Sequence, residues 1–216
     1  VAHFNVLVLN DSVEDMAAAA RATDADIISF QELSFNWEKY LTSTLADKYP
    51  YHMVLPAAGT NGIGLYSKFP LESKRVYILA GNTTLYATAD TPRGKLNIVA
   101  AHTKAPVSAE NFKNRNAHLR QLSAVVPSYG PSLLVGDLNI VPWSSHFLQL
   151  TKTTGLTDSR TGFEATFPAG APLMQVPIDY ILYNRLLLCT GFDVVKAPGS
   201  DHHGVVGMYA FREDGN

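Results

Sequence analysis

Several apolar runs in this chain of 216 residues end in side chains of the kinds that move protons or hold cations. Ile27-Ile28-Ser29-Phe30 ends in Gln31-Glu32, and Leu96-Asn97-Ile98-Val99-Ala100-Ala101 ends in His102-Thr103. Leu133-Leu134-Val135 ends in Gly136-Asp137-Leu138-Asn139. Asp179 interrupts the apolar stretch around Tyr180-Ile181-Leu182, and Ser200-Asp201-His202-His203 precedes Val205-Val206. Strand ends on one edge of a sheet sandwich converge from distant parts of a chain and hold polar groups at a water-accessible rim. Carboxylates joined by an asparagine make a hard-oxygen site for a magnesium-like ion, with phosphate completing the coordination.

Each residue has a plainer reading beside the chemical one. Glu32 alone could be a solvated carboxylate. Gly136-Asp137-Leu138-Asn139 could be an Asx-turn, or an extended pair with Asp137 and Asn139 on one side. Asp179 is harder to dismiss, because a carboxylate in a buried strand costs several kcal/mol unless it is paired. A histidine is the natural partner, and His202 is the one chosen. His3, His52, His118 and His146 are read as surface residues or as supports behind the reacting groups, and His203 should face away from His202 if that segment is extended. Zinc is disfavoured: Cys189 is the one cysteine, and no two histidines are three or four residues apart. That cysteine count also excludes an intramolecular disulfide. The chain has no Gly-x-x-x-x-Gly-Lys-Ser/Thr, Gly-x-Gly-x-x-Gly or Gly-x-Ser-x-Gly, which removes common nucleotide-cradle and serine-hydrolase readings.

The elements that position these residues follow from periodicity and caps. Helices are expected over Val13 to Thr23 (with Ser12 and Asp15 as a capping-box-like start), from a cap at Asn36 through Leu45, over Glu110 to Val126, and from Ser144 or Ser145 to a stop at Gly155. Strands are expected at 26–31, 51–55, 62–67, 75–79, 84–89, 96–102, 132–135, 177–183, 192–195 and 205–212. So many strands with few helices predict an α/β (α+β) fold in which two packed sheets carry helices on their outer faces. No linker or repeat divides the chain, so one domain over 1–216 is expected. It starts directly on a strand with no leader, which reads as a segment cut from a longer protein.

Hydrophobic residues at 46% and charged residues at 17% exclude a disordered chain, and no apolar run is long enough to span a bilayer. Lys and Arg number 17 against 19 Asp and Glu, for a net charge of −2, which is not the basic excess of a general nucleic-acid binder. A tight, sequence-independent duplex nuclease is therefore not expected, although Lys104, Lys113, Arg115 and Arg120 could form a local patch.

Taken together, the order Asn5, Gln31-Glu32, His102, Gly136-Asp137-Leu138-Asn139, Ile178-Asp179-Tyr180, Ser200-Asp201-His202 resembles the endonuclease/exonuclease/phosphatase superfamily. Pancreatic deoxyribonuclease, apurinic endonucleases, neutral sphingomyelinases and inositol-polyphosphate 5-phosphatases are members. The stretches GIGLYSKFP (62–70) and AAHTKAP (100–106) resemble its intervening strands. GDLNIVPWS and GLTDSRTGFEATFP are most similar to a bacterial subgroup often carried behind N-terminal membrane segments, so the resemblance implies the soluble domain of a longer membrane-anchored protein. Tyr180 departs from that subgroup, standing where a second histidine is frequent.

The resemblance implies a four-layer α-β-β-α sandwich of the deoxyribonuclease type and a Mg²⁺- or Mn²⁺-dependent phosphoesterase, cleaving a diester or monoester by in-line attack of water. It implies Glu32 as the principal metal ligand, assisted by Asp201 and by Asn5 or Asn139 directly or through water. Asp137 or His202 would take the proton of the attacking water, and Asp179 would orient the His202 ring. Asn139, Asn5 and His102 would donate to the phosphorus oxygens. Arg115 would grip a second phosphate or, on its plainer reading, be an exposed helix arginine. The partner implied is a phosphoester substrate (nucleic acid, phospholipid or small molecule), with no obligate protein partner evident. The readings from other classes are a catalytically silent binding module and a membrane-tethered nuclease or effector. Losses at the Glu, Asp-x-Asn or Asp-His positions would mark the silent module, and none is lost.

Overall fold

A computed structural model describes residues 1–212. The expected domain limit at Asn216 lies outside them. The chain forms two six-stranded sheets. The first contains β1 (Ala2–Asn5), β2 (Ile27–Gln31), β3 (Tyr51–Leu55), β4 (Ile63–Ser67), β11 (Leu187–Val195) and β12 (Gly204–Phe211), in the order β11-β12-β1-β2-β4-β3. The second contains β5 (Leu71–Leu79), β6 (Asn82–Thr91), β7 (Gly94–Ala101), β8 (Ser132–Asp137), β9 (Thr157–Asp158) and β10 (Asp179–Tyr183), in the order β5-β6-β7-β8-β10-β9. Both sheets are mixed: β1–β2 and β7–β8 are parallel, and the other pairings are antiparallel.

Three apolar clusters fill the spaces between four layers. Met16, Ala17 and Ala20 of α1 (Val13–Ala22) and Trp37, Leu41 and Leu45 of α2 (Phe35–Leu45) pack on Phe4, Ile28 and Phe30. Between the sheets lie Leu65, Leu85, Ile98, Leu133, Val135 and Ile181. On the far face Leu119 and Leu122 of α3 (Ala109–Leu122) and Phe147 and Leu150 of α4 (Ser145–Thr154) cover Val99, Leu134, Tyr180 and Leu182. Successive strand residues point to opposite faces. Leu133 and Val135 thus enter the inter-sheet core while Leu134 faces the helices. Central strands buried on both faces read as unbroken apolar runs, which is why their ends are legible.

The expected α-β-β-α sandwich is the observed fold, with local corrections. The Ser12 side chain makes no capping bond, and its own N–H is taken by Asn10 Oδ1 at 2.8 Å. Ser34, not Asn36, caps α2 by accepting from the Trp37 N–H at 3.3 Å. Helix α3 ends at Leu122, and Val126 reaches the same cluster through a turn. Strands β5 and β11 begin four and five residues earlier than expected. The added residues Glu72, Ser73 and Lys74 of β5 face solvent and carry no apolar signal, whereas β11 starts on the apolar Leu187-Leu188-Cys189, with Leu187 in the inter-sheet core; each strand has a register shift. The short β9 and the 3-10 turn at Pro172–Met174 had no periodicity to reveal them.

Candidate active site

Parallel pairing brings the C-terminal ends of β1 and β2 together, with Asn5 opposite Gln31. On the other sheet β7 runs parallel to β8, and antiparallel β10 starts where β8 ends, with Asp179 directly opposite Asp137. These ends meet at one rim, held by Gln31. Its Oε1 accepts the Asp137 N–H at 2.9 Å, and its amide donates to the Ala101 carbonyl at 2.7 Å. Gly136 precedes Asp137 with φ 143°, and a Cβ there would collide with the Ala101 carbonyl and the Gln31 amide. Only glycine allows both the backbone turn and the cross-sheet approach.

One asparagine gathers two carboxylates. Asn5 Nδ2 donates to Glu32 Oε1 and to Asp137 Oδ2, each at 3.2 Å. Glu32 Oε2 accepts the Val8 N–H at 3.0 Å. Asp137 Oδ1 accepts the Asn139 N–H at 2.8 Å, and Asn139 has φ 48°. The Asx-turn reading of this segment is therefore correct, and the extended pairing of Asp137 and Asn139 is not. The turn aims Asp137 Oδ2 inward, while Asn139 Nδ2 donates to the Thr103 carbonyl at 2.9 Å.

Two histidines face the carboxylates. His202 donates from Nδ1 to Asp179 Oδ2 at 2.9 Å, and its Nε2 is 3.7 Å from Asp137 Oδ2. Phe167 packs on this ring at 4.7 Å between centroids. The dyad expected from the buried carboxylate is present. His102 donates from Nδ1 to the Thr60 carbonyl at 2.9 Å, leaving Nε2 3.6 Å from Asp137 Oδ2 and 4.0 Å from Glu32 Oε1. Glu32, His102, Asp137, Asn139, Asp201 and His202 line one cleft of about 270 Å³. Asp201 stands exposed at its edge. A larger groove of about 870 Å³, around Val1, Asp26 and Tyr209, contains none of them.

The electrostatics follow from burial and proximity. Burial, then the charge of Asp179, pushes Asp137 up to about 7 against the pull of His202. Burial also works to raise Asp179, but the charge of His202 and hydrogen bonds from His202 and His3 hold it below the usual carboxylate range. For His202 burial opposes the charge, and Asp179 with Asp137 outweighs it, raising the ring to about 10. Burial, with the charge of His202, pushes His102 down to about 3.

Several side chains are placed otherwise than the sequence suggested. Both Nδ2 hydrogens of Asn5 are committed to carboxylates, and its Oδ1 accepts the Leu7 N–H at 3.1 Å. It clamps acids and has no donor left for phosphate. His102, neutral and donating from Nδ1, presents a lone pair at Nε2, so it is an acceptor where a donor was expected. Arg115 is buried, not exposed. It donates to the Asn139 carbonyl at 2.9 Å and to Asn116 Oδ1, and it is not among the cleft residues. His3, read as either a surface residue or a support behind the reacting groups, is the latter: it is fully buried and donates from Nε2 to Asp179 Oδ1 at 3.1 Å. The signal for it was in the chain: a buried carboxylate has two oxygens to satisfy, and one histidine answers one.

A divalent cation fits the donor set. Glu32 and Asp137 are drawn together by a neutral amide, with no lysine or arginine paired to either among the described residues. Asp137, Asp179 and His202 also lie within 4.8 Å of one another. Both Asp179 oxygens, however, are held by imidazoles and Asp179 does not line the cleft, whereas Glu32, Asp137 and the exposed Asp201 do.

Comparison with known proteins agrees with this geometry. The chain belongs to the Endonuclease/Exonuclease/phosphatase family, whose model matches residues 2–202. Its members are hydrolases of phosphoester bonds that typically use a divalent metal. An inositol phosphosphingolipids phospholipase C of Saccharomyces cerevisiae is 28% identical over 163 residues, which are 63% of this chain and 34% of that one. The chain thus spans about a third of that curated relative. Among solved structures, an endonuclease/exonuclease/phosphatase from Beutenbergia cavernae superposes with a TM-score of 0.79 at 23% identity, covering 97% of this chain and 70% of that one. Sphingomyelinase C from Streptomyces griseocarneus superposes at 0.70 and 17% identity, covering 95% and 97%. At these identities the two structures establish the shared fold.

Proposed function

We propose that the protein is a Mg²⁺- or Mn²⁺-dependent phosphoesterase that cleaves its substrate by in-line attack of water. The observation that carries this reading is the convergence of Glu32, Asp137 and the Asp179–His202 dyad on one cleft, from both sheets. Glu32 would hold the ion, with Asp201 at the edge and Asn5 fixing the Glu32 carboxylate. When bound, such an ion neutralises charge on the phosphate and leaving oxygens.

The remaining work falls to residues of the chain. Asp137 Oδ2 and His202 Nε2, 3.7 Å apart, flank the position from which water would attack, and the pair takes up its proton. Asp179 holds the His202 proton at Nδ1, so that Nε2 is the nitrogen presented to the cleft. Asn139 has one amide hydrogen beyond the bond to Thr103 and supplies it to a phosphate oxygen. His102 Nε2 accepts from water or substrate. Arg115 fixes the Asn139 carbonyl, holding this turn against α3.

The test is hydrolysis by the purified protein, with Mg²⁺ or Mn²⁺, of a panel: bis-aryl phosphate, sphingomyelin, inositol phosphates, RNA and plasmid DNA. Metal-dependent turnover of at least one, lost in Glu32→Ala and His202→Ala, is expected. No turnover of any overturns the reading in favour of a silent binding module, and turnover that survives chelation overturns its metal dependence.

A further inference from the structure

We propose that His3 is a positioning residue of this site, holding Asp179 in the orientation that aims His202 at the cleft. The inference deepens the phosphoesterase reading and rests on it for its kinetic arm. Ala2 and Phe4 of β1 face the helices of the first layer, so His3 and Asn5 face the opposing sheet. Asn5 reaches the rim, and His3 lies one step deeper, fully buried and in register with Ser29 and Val205 of the neighbouring strands. A ring of this polarity is tolerated there only with a partner.

That partner is on the other sheet. Asp179 is fully buried, and its backbone N–H is already bonded to Thr166 Oγ1 at 3.3 Å. Its carboxylate takes His202 Nδ1 on Oδ2 and His3 Nε2 on Oδ1, 2.9 and 3.1 Å. Two donors on two oxygens fix the carboxylate plane, whereas one would leave it free to turn. His3 Nδ1 is buried and has no hydrogen-bond partner. A proton there would be an unanswered donor, so the tautomer that fits carries its proton on Nε2, where Asp179 needs it. The chain thus uses a second imidazole, from the first strand, to lock the carboxylate that orients the first.

Removing the His3 donor should loosen the aim of His202 without touching substrate. For His3→Leu we expect kcat to fall on the order of 100-fold, the scale of a small misplacement of a catalytic group, with KM unchanged. His3→Gln, whose Nε2 can occupy the place of the imidazole Nε2, should recover most of the loss. Two NMR measurements need no substrate. In ¹⁵N-labelled wild-type protein the His3 ring should show the Nε2–H tautomer. The downfield Nδ1 proton of His202 should be visible in the wild type and His3→Gln but exchange-broadened in His3→Leu.

A protein inactive on every phosphoester but with these NMR features would sink the hydrolase reading and leave the His3–Asp179–His202 lock standing. An Nδ1–H tautomer at His3, an undisturbed His202 proton in His3→Leu, or unchanged kcat in an otherwise active His3→Leu overturns the inference. If His3→Leu does not fold, the wild-type tautomer and the kcat and His202 proton of His3→Gln decide it.

Discussion

Asp137 and Asp179 stand opposite one another on β8 and β10, both buried, and their environments drive their proton affinities apart. Asp179 is answered by two imidazoles and stays charged, whereas Asp137 has an asparagine clamp and a backbone N–H and is pushed up to about 7. Paired titratable groups with divergent affinities are a mark of a site built to handle protons.

A cation that binds the ionised form of Asp137 must compete with this proton. The folded value is raised above the ordinary 3.8, so the stability Asp137 contributes in the ion-free protein is present at low pH and is lost as pH rises through about 7. The stabilisation given by Mg²⁺ or Mn²⁺ should accordingly be larger at pH 8 than at pH 5. Thermal melts with and without ion check this. Asp137→Asn should flatten the pH dependence, and Glu32→Gln should shrink the ion-induced rise in Tm at both pH values. An equal rise in wild-type and Glu32→Gln protein would remove Glu32 from the ligand set.

The stitch beneath the site is expected to matter for folding. Gln31→Leu leaves the Asp137 N–H and the Ala101 carbonyl buried without partners. At about 1–3 kcal/mol for each unsatisfied group, the loss should be roughly 2–6 kcal/mol. Urea denaturation measures it, and a change below about 1 kcal/mol would show that the rim rearranges or admits water to satisfy both groups.

Acid sensitivity should come partly from a histidine that does not itself line the cleft. His118 is fully buried on α3 and bonded to Thr84 Oγ1 at 2.8 Å, and burial pushes it down to about 4. Its folded value lies below the unfolded one, so the unfolded chain binds more protons between about pH 6.5 and 4, and stability falls as pH is lowered through that window. The contribution is roughly 3 kcal/mol at full extent. His118→Gln should lose less stability than the wild type between pH 7.5 and 4.5 in urea titrations. Parallel losses in both proteins would assign the acid sensitivity elsewhere.

Legibility of the site followed burial. Central strands packed on both faces print apolar runs, so the polar residues ending them, Glu32, His102 and Asp137, stood out. Asp179 was legible because a carboxylate in such a run needs a partner. His3 was legible only as one of two alternatives, because a histidine inside a short strand has no periodic signature and its partner lies 176 residues away. Arg115 looked like a surface residue because helical periodicity does not distinguish a buried guanidinium reaching a neighbouring turn from one in solvent. The donor directions of Asn5 and His102 depend on which acceptor each side chain meets, and only the assembled rim supplies that. The start of edge strand β5 gives no apolar contrast, because Glu72, Ser73 and Lys74 face solvent, whereas the start of β11 was legible in Leu187-Leu188-Cys189.

Charge at the cleft bears on substrate size. Duplex DNA binding draws its affinity from lysines and arginines that neutralise phosphates and release counterions. Among the described residues lining this cleft, Lys104 is the one lysine or arginine, and it donates to Asn61 Oδ1 at 3.0 Å. Glu32, Asp137 and Asp201 line the same space, Asp179 lies beneath it, and the chain as a whole carries a net charge of −2. Arg115, which could have joined a basic patch with Lys104, is turned inward to Asn139. A small or membrane-borne phosphoester needs few such contacts and suits this rim better than a polyanionic rod. Fluorescence anisotropy with a labelled duplex, in Ca²⁺ to limit turnover, should give only weak binding at physiological salt, with a shallow dependence on salt concentration. Tight binding with a steep slope, reporting many released counterions, would show that basic residues outside the cleft govern what the protein binds.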